Sequence, residues 1–268
     1  MKKRHDILII DDEQVVIDAV TRICTEESMQ VDAASDAREA LDKAAKNRYR
    51  LIICDIMLPG MDGFQLLEKL RPIDSGTAFI MTTGYTTIEN AVKSLYQGAV
   101  NFLPKPFTSD EFCSTAKRSL NYISIREKLR EMKRTSEEEP MLYVPCPAKY
   151  FRLGYSSWMV QDHDGSARIG VTDLYLKTVD TVGKLILQAP EQQIFQGNSC
   201  AILETKDGLP HNITSPLSGR ILEKNIRIEK DLTLLEKDPF FDGWLYRVLP
   251  EDIAHQLKYL IPGGAEEI

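Results

Sequence analysis

Four apolar runs punctuate the first 110 residues of the chain, and each ends on polar side chains: ILII at Asp11 and Asp12, LIIC at Asp55, AFIMT at Thr83 and VNFLP at Lys105. Short continuous runs bounded by turn residues suit strands buried on both faces. Stretches of helical period lie between them. Gln14 to Glu27 places Val16, Ala19, Val20 and Ile23 on one side, and Asp36 to Asn47 does the same with Ala37, Ala40, Leu41 and Ala44. Strands alternating with helices predict an α/β domain built on a parallel sheet. Ser35 and Thr108 stand where N-caps are wanted, and Glu111 follows Thr108 at the spacing of a capping box.

The pattern then changes twice. Asp110 to Glu139 contains no Pro or Gly and reads as one long helix leaving the first domain. Tyr122, Ile125, Leu129 and Met132 follow a 3-4-3 spacing along it, which suits either a solvated linker helix or a short dimer seam. From Met141, alternating runs (SWMVQ, ARIGV, KLILQ, CAILET, RILEKNI, WLYRVLP) are broken by Gly, Pro, Asn and Asp, the pattern of a β-rich domain with hairpins. Glu251 to Leu260 reads as a short helix, and PGGAEEI is expected to fray. The division is a first domain over residues 1 to 122, a helical connector over 123 to 140 and a β domain over 141 to 268.

In an open parallel sheet, polar groups at the carboxyl ends of the strands converge on one crevice. Here they are Asp11, Asp12, Asp55, Thr83 and Lys105. Clustered carboxylates repel unless a cation intervenes, and a hard divalent ion with oxygen ligands, Mg²⁺, answers that need. With it, Asp55 at the strand tip before Pro59 and Gly60 can attack a phosphoryl group, Lys105 can neutralise phosphoryl oxygens and the Thr83 hydroxyl can bind the product. The chemistry so implied is formation of an aspartyl phosphate.

Composition narrows the setting. The 268 residues carry 33 basic and 40 acidic side chains, a net charge of -7. The first 140 hold 20 basic against 23 acidic and the rest 13 against 17, so neither part has the basic footprint of a DNA-binding domain. Nucleic acid is not an expected partner. Cys24, Cys54, Cys113, Cys146 and Cys200 are scattered, without the short spacing of a metal knuckle or redox motif. MKKRHDILII has too short an apolar stretch for a signal peptide, and no run reaches the length of a membrane span, so a cytoplasmic setting is expected. Gly183-Lys184 lacks the Gly-rich loop of an ATPase.

Residues 6 to about 122 resemble a two-component response regulator receiver domain, with every element in order. The resemblance implies a five-stranded, doubly wound, flavodoxin-like sheet. It makes Asp55 the phosphoacceptor, Asp11 and Asp12 the acidic pair that holds Mg²⁺ together with Asp55 and the Met57 carbonyl, and Lys105, with Pro106 and Phe107, the family's Lys-Pro-Phe ending, with a cis peptide before Pro106. Thr83 becomes the switch hydroxyl and Phe102 the aromatic that follows it. Met57 and Tyr85 fall on the positions that tune phosphate lifetime; both are bulky or apolar, which implies a long-lived phosphorylated state.

Residues 150 to about 250 are similar to the glycine cleavage system H protein, a lipoyl-carrier fold built as a β barrel-sandwich. The similarity rests on Trp158, GVTDLYLKTVDTVGKLILQAP, ETKDGLPHNITSPLSGRI and DLTLLEKDPFFDGWLYRV. It implies that Gly170, Thr172 and Asp173 open a short helix, that Ser215, Pro216 and Gly219 shape the hairpin after the carrier tip, and that Asp238, Pro239, Gly243 and Trp244 close the barrel. The carrier lysine is missing from its place. Counting forward from Glu204 gives Asp207, and counting back from Pro216 gives Gly208. Lys206 sits one position early, and Pro210 stiffens the tip, so lipoate is not expected. The whole reads as a response regulator rather than an enzyme with a substrate of its own, phosphorylated by a sensor histidine kinase and acting through an H protein-like output domain on another protein. The alternative is a phosphorylation-gated lipoyl carrier using Lys206.

Overall fold

The computed structural model describes residues 4–73, 76–84, 88–135 and 141–265. Contacts divide it into two units, Met1–Thr86 with Gln97–Glu127 and Thr87–Tyr96 with Lys128–Ile268. In the first, β1 (Arg4–Ile10), α1 (Gln14–Glu26), β2 (Val31–Ala34), α2 (Ala37–Lys46), β3 (Arg48–Asp55), α3 (Gly63–Leu70) and β4 (Ala78–Thr83) follow one another. Helix α4 (Ile88–Tyr96) groups with the second unit, and the chain then gives β5 (Asn101–Pro104) and α5 (Ser109–Thr135). The strands pair in parallel in the order β2-β1-β3-β4-β5, the expected flavodoxin-like winding with its switch point between β1 and β3.

The apolar runs are continuous because both faces of the sheet are covered. Ile7, Leu8, Ile9 and Ile10 are all fully buried. Leu8, Ile10, Ile52, Cys54, Phe79 and Met81 form one face, joined in a single core with Ala37, Ala40 and Ala44 of α2 and Phe64, Leu67 and Leu70 of α3. α1 buries Ile17, Val20 and Ile23.

Two helix starts test the expected caps. Thr108 makes the reciprocal box, its Oγ1 accepting from Glu111 N at 3.2 Å and its N–H donating to Glu111 Oε2 at 2.8 Å. Ser35 does not cap α2. Asp36 does, accepting from Glu39 N at 2.8 Å, because it is the extended residue immediately before the helix. Ser35 instead donates its N–H to Glu39 Oε2. α5 runs to Thr135, while 136–140 of the expected connector lie outside the described residues. Tyr122 and Leu129 are buried and Ile125 and Met132 half-buried, so the helix is not solvated all round.

The second unit is mainly β, as expected. It contains β6 (Phe151–Leu153), β7 (Ser157–Gln161), β8 (Ala167–Val171), α6 (Asp173–Thr178), β9 (Val182–Leu187), β10 (Gln193–Ile194), β11 (Ser199–Thr205), β12 (Pro210–Thr214), β13 (Gly219–Lys224), α7 (Ile226–Lys230), α8 (Thr233–Lys237), β14 (Trp244–Pro250), α9 (Ile253–Gln256) and β15 (Ile261–Pro262). Among the described residues they form a seven-stranded sheet, β10-β13-β14-β8-β7-β6-β15, and a three-stranded one, β12-β11-β9. The pairings are antiparallel.

The run RILEKNI divides, because Asn225 caps α7 by accepting from Arg227 N and so ends β13. Thr172 caps α6 through Tyr175 N, placing Asp173 at the helix start. The tail is not frayed over its first residues. β15 pairs with β6, and Gly263 N donates to Tyr150 O at 2.6 Å. Residues 266–268 lie outside the described ones. Among the described residues no helix is long and apolar enough to cross a membrane.

Trp158 organises this unit. It is fully buried, with Nε1 donating to Val171 O and Pro239 O, both at 3.0 Å, and its ring lies against Tyr150 and Phe240. Its register partner on β8 is Gly170, and a Cβ there would stand 2.5 Å from Trp158 Cε2. Gly170→Ala is expected to destabilise the unit by about 1–3 kcal/mol through overpacking. Urea unfolding followed by tryptophan fluorescence reads this unit alone, since Trp158 and Trp244 are the two tryptophans of the chain. An unchanged midpoint would count against the packing role.

Candidate functional site

Three strand ends build the site. β1 delivers Asp11, fully buried, and the exposed Asp12; β3 delivers Asp55, buried; and Lys105 follows β5. One oxygen from each of Asp11, Asp12 and Asp55 lies within 4.8 Å of the others. Lys105 Nζ stands 2.5 Å from Asp55 Oδ2, 2.7 Å from Asp11 Oδ2 and 3.3 Å from Glu13 Oε1. Backbone groups hold the acids: Met57 N donates to Asp55 Oδ1 at 2.9 Å and Glu13 N to Asp11 Oδ1 at 3.1 Å. The Lys105–Pro106 peptide is cis.

α3 must start close beneath Asp55. Gly63 N donates to Ile56 O at 2.9 Å, and a Cβ on Gly63 would collide with the Asp55 carbonyl oxygen. Only glycine admits this approach. Thr83 is fully buried and its carbonyl accepts from Lys105 N at 2.9 Å. Phe102 is partly buried against the core that contains Met81. Met57 is 54% exposed. Tyr85 lies outside the described residues.

Charge dominates this place. Burial, the largest influence, pushes the Asp11 carboxyl above its ordinary value, against the hydrogen bonds from Lys105 and Glu13 N–H. Burial also disfavours the Lys105 ammonium, but hydrogen bonds and charges from Asp11 and Asp55 outweigh it and raise its pKa. Lys105 is thus firmly cationic, one positive charge against the carboxylates of Asp11, Glu13 and Asp55, with that of Asp12 beside Asp11 and Asp55. A set of carboxylate oxygens with excess negative charge fits a hard divalent cation such as Mg²⁺. Glu13 was not among the sequence candidates; its signal was the third consecutive acid in DDE.

In the second unit, Lys206 and Asp207 are exposed in the loop joining β11 and β12, closed by the Glu204–Pro210 pair. Thr205 Oγ1 accepts from Leu209 N at 3.0 Å, and Gly208 takes φ +88°. Pro210 is the first residue of β12, at the base of this loop. The five cysteines are free and buried.

Two family models match. Residues 7–117 match the response regulator receiver domain and 149–267 the glycine cleavage H-protein. The nitrogen assimilation regulatory protein NtrX of Azorhizobium caulinodans is 34% identical over 140 residues, 52% of this chain and 31% of that protein. The uncharacterized transcriptional regulatory protein YkoG of Bacillus subtilis is 30% identical over 154 residues, 52% of this chain and 67% of that protein. A crystal structure of a glycine cleavage system H protein from Mycobacterium marinum is 25% identical, covering 39% of this chain and 85% of that one, with a TM-score of 0.36. The chain belongs to the response regulators, and residues 149–267 form a glycine cleavage H-protein-like domain. It spans about a third to two thirds of the length of these curated relatives.

The raised pKa of Asp11 has a sign. A carboxyl that titrates higher in the folded chain costs stability as pH climbs from its unfolded value, about 4, through its folded one. Asp11→Asn keeps the Oδ1 acceptor and removes that cost. In the presence of a chelator it is expected to raise the urea midpoint of the first unit at pH 7, with the advantage vanishing below about pH 4. Circular dichroism across a pH series checks this; an Asn variant less stable than the parent at pH 7 contradicts it.

Proposed function

We propose that the chain is a phosphorylation-controlled signalling protein of the cytoplasm, with a receiver over residues 1 to 122, a helical connector over 123 to 140 and an output domain over 141 to 268. The observation that carries this is the meeting of Asp11, Asp12, Asp55 and Lys105 at the carboxyl ends of β1, β3 and β5. A sensor histidine kinase is the donor. An Asp55 oxygen forms the bond to phosphorus as the phosphorus–nitrogen bond of the phosphohistidine breaks and the imidazole leaves. A Mg²⁺ ion held by Asp11, Asp12, Asp55 and the Met57 carbonyl would supply charge neutralisation for the phosphoryl oxygens. Lys105 gives those oxygens an ammonium, Thr83 turns its hydroxyl to them, and Phe102 follows into the space released.

The H-protein-like domain then acts on another protein by surface contact. Its acidic balance, 17 acidic against 13 basic side chains after residue 140, favours a protein partner over nucleic acid. Asp55→Asn is expected to abolish phosphodonor-dependent labelling while circular dichroism stays unchanged. Label persisting on the variant would remove Asp55 from its role.

A second reading, a lipoyl carrier gated by phosphorylation, draws on the exposure of Lys206. An exposed amine can be reached, but the lysine is one position early, and Asp207 or Gly208, according to which flank is counted from, stands in its stead. Intact mass of protein made in cells that lipoylate their own carriers is expected to show no lipoyl addition. A lipoyl mass on Lys206 would promote the carrier reading.

A further inference from the structure

Thr82, at the carboxyl end of β4, carries a hydroxyl that the proposed phosphoryl chemistry does not use. Its side chain is fully buried, and Oγ1 has no hydrogen-bond partner. Such a group destabilises the chain that carries it, whereas valine, of the same shape, does not. A buried orphan therefore asks what it pairs with in another state.

Register places it. Asp55, Thr82 and Leu103 are partners across β3, β4 and β5. Their neighbours Cys54 and Met81 point into the core shared with α2 and α3, so Asp55 and Thr82 share the opposite face. Lys105 stands two residues beyond Leu103 and reaches Asp55 Oδ2 at 2.5 Å. The ion pair thus runs from β5 to β3, and the β4 residue beneath it on that face is Thr82.

In the resting chain both Asp55 oxygens are engaged, Oδ1 by Met57 N–H and Oδ2 by Lys105. Phosphorylation changes this. One oxygen becomes the bridge of the mixed anhydride with phosphorus, and Lys105 turns to the phosphoryl oxygens, which leaves the other Asp55 oxygen free to accept on the face it shares with Thr82. We propose that Thr82 Oγ1 donates to the acyl phosphate on Asp55, so that the crevice uses two hydroxyls, Thr83 and Thr82, on opposite faces of β4. The proposal rests on Asp55 being the phosphoacceptor.

The test uses the full chain and beryllofluoride, which adds to a carboxylate as a phosphoryl mimic, with Mg²⁺ present. Binding is followed by fluorine NMR. Thr82→Val is expected to weaken it about tenfold, the loss of one hydrogen bond. Thr82→Ser, which restores the hydroxyl, is expected to stay within about twofold of the parent. The urea midpoint of the ligand-free Val variant should be no lower than that of the parent. If parent and Val variant bind alike, the proposal falls while the phosphoacceptor reading stands. A Ser variant as weak as the Val one, or a Val variant less stable without ligand, also overturns it, since each assigns Thr82 a packing role. A parent that does not bind at all defeats the phosphoacceptor reading and this proposal together.

Discussion

Asp11, Glu13 and Asp55 meet on one ammonium, Lys105, with Asp12 beside Asp11 and Asp55, and the need to balance that charge governs the first unit. Lys105 is only 9% exposed, so its attraction to Asp11 and Asp55 is poorly screened. The chain meets the need with local precision. Strands β1 and β3 both stop at an acid, Gly63 lets α3 begin beneath Asp55, and backbone N–H groups of Glu13 and Met57 fix which oxygens face inward. The buried sheet beneath is what makes this crowding tolerable, because Ile7 through Ile10 and their neighbours leave the strand ends no freedom to splay apart.

The second unit solves a different problem, how to hold short antiparallel strands together around few large side chains. Trp158 does much of this. Its indole N–H reaches both Val171 O on its own sheet and Pro239 O in the turn after α8, while Gly170 opposite leaves room for the ring. Tyr246 acts similarly, its hydroxyl donating to Cys200 O and accepting from Gln188 N. The scaffold so made resembles a carrier domain, but its tip is closed on itself by Thr205, whose backbone and hydroxyl both pair with Leu209.

Legibility followed the physics of each element. Strands β1, β3, β4 and β5 could be read because burial leaves an apolar signature, and Asp11, Asp12, Asp55 and Lys105 because they follow such runs; β2, VDAA with only Ala34 buried, has no such signature. Ser35 was read as the cap because sequence does not fix a helix start to one residue; backbone dihedrals decide, and they make Asp36 the cap. Glu13 was passed over because an acid at the beginning of a helix is ordinary until a lysine from residue 105 is seen against it. Thr82 needed cross-strand register, which no local pattern contains. The ordered tail needed pairing with β6, over a hundred residues away in sequence.

The seven-stranded sheet closes at both sides with strands of two residues, Gln193–Ile194 and Ile261–Pro262. Proline has no N–H to offer a neighbouring strand. A molecule that seeks to extend this sheet by adding a strand finds almost no ladder to continue, which protects this sheet against edge-to-edge aggregation. Recognition of this sheet has to be written in its outward side chains and loops, where single substitutions can change a partner without disturbing the β framework.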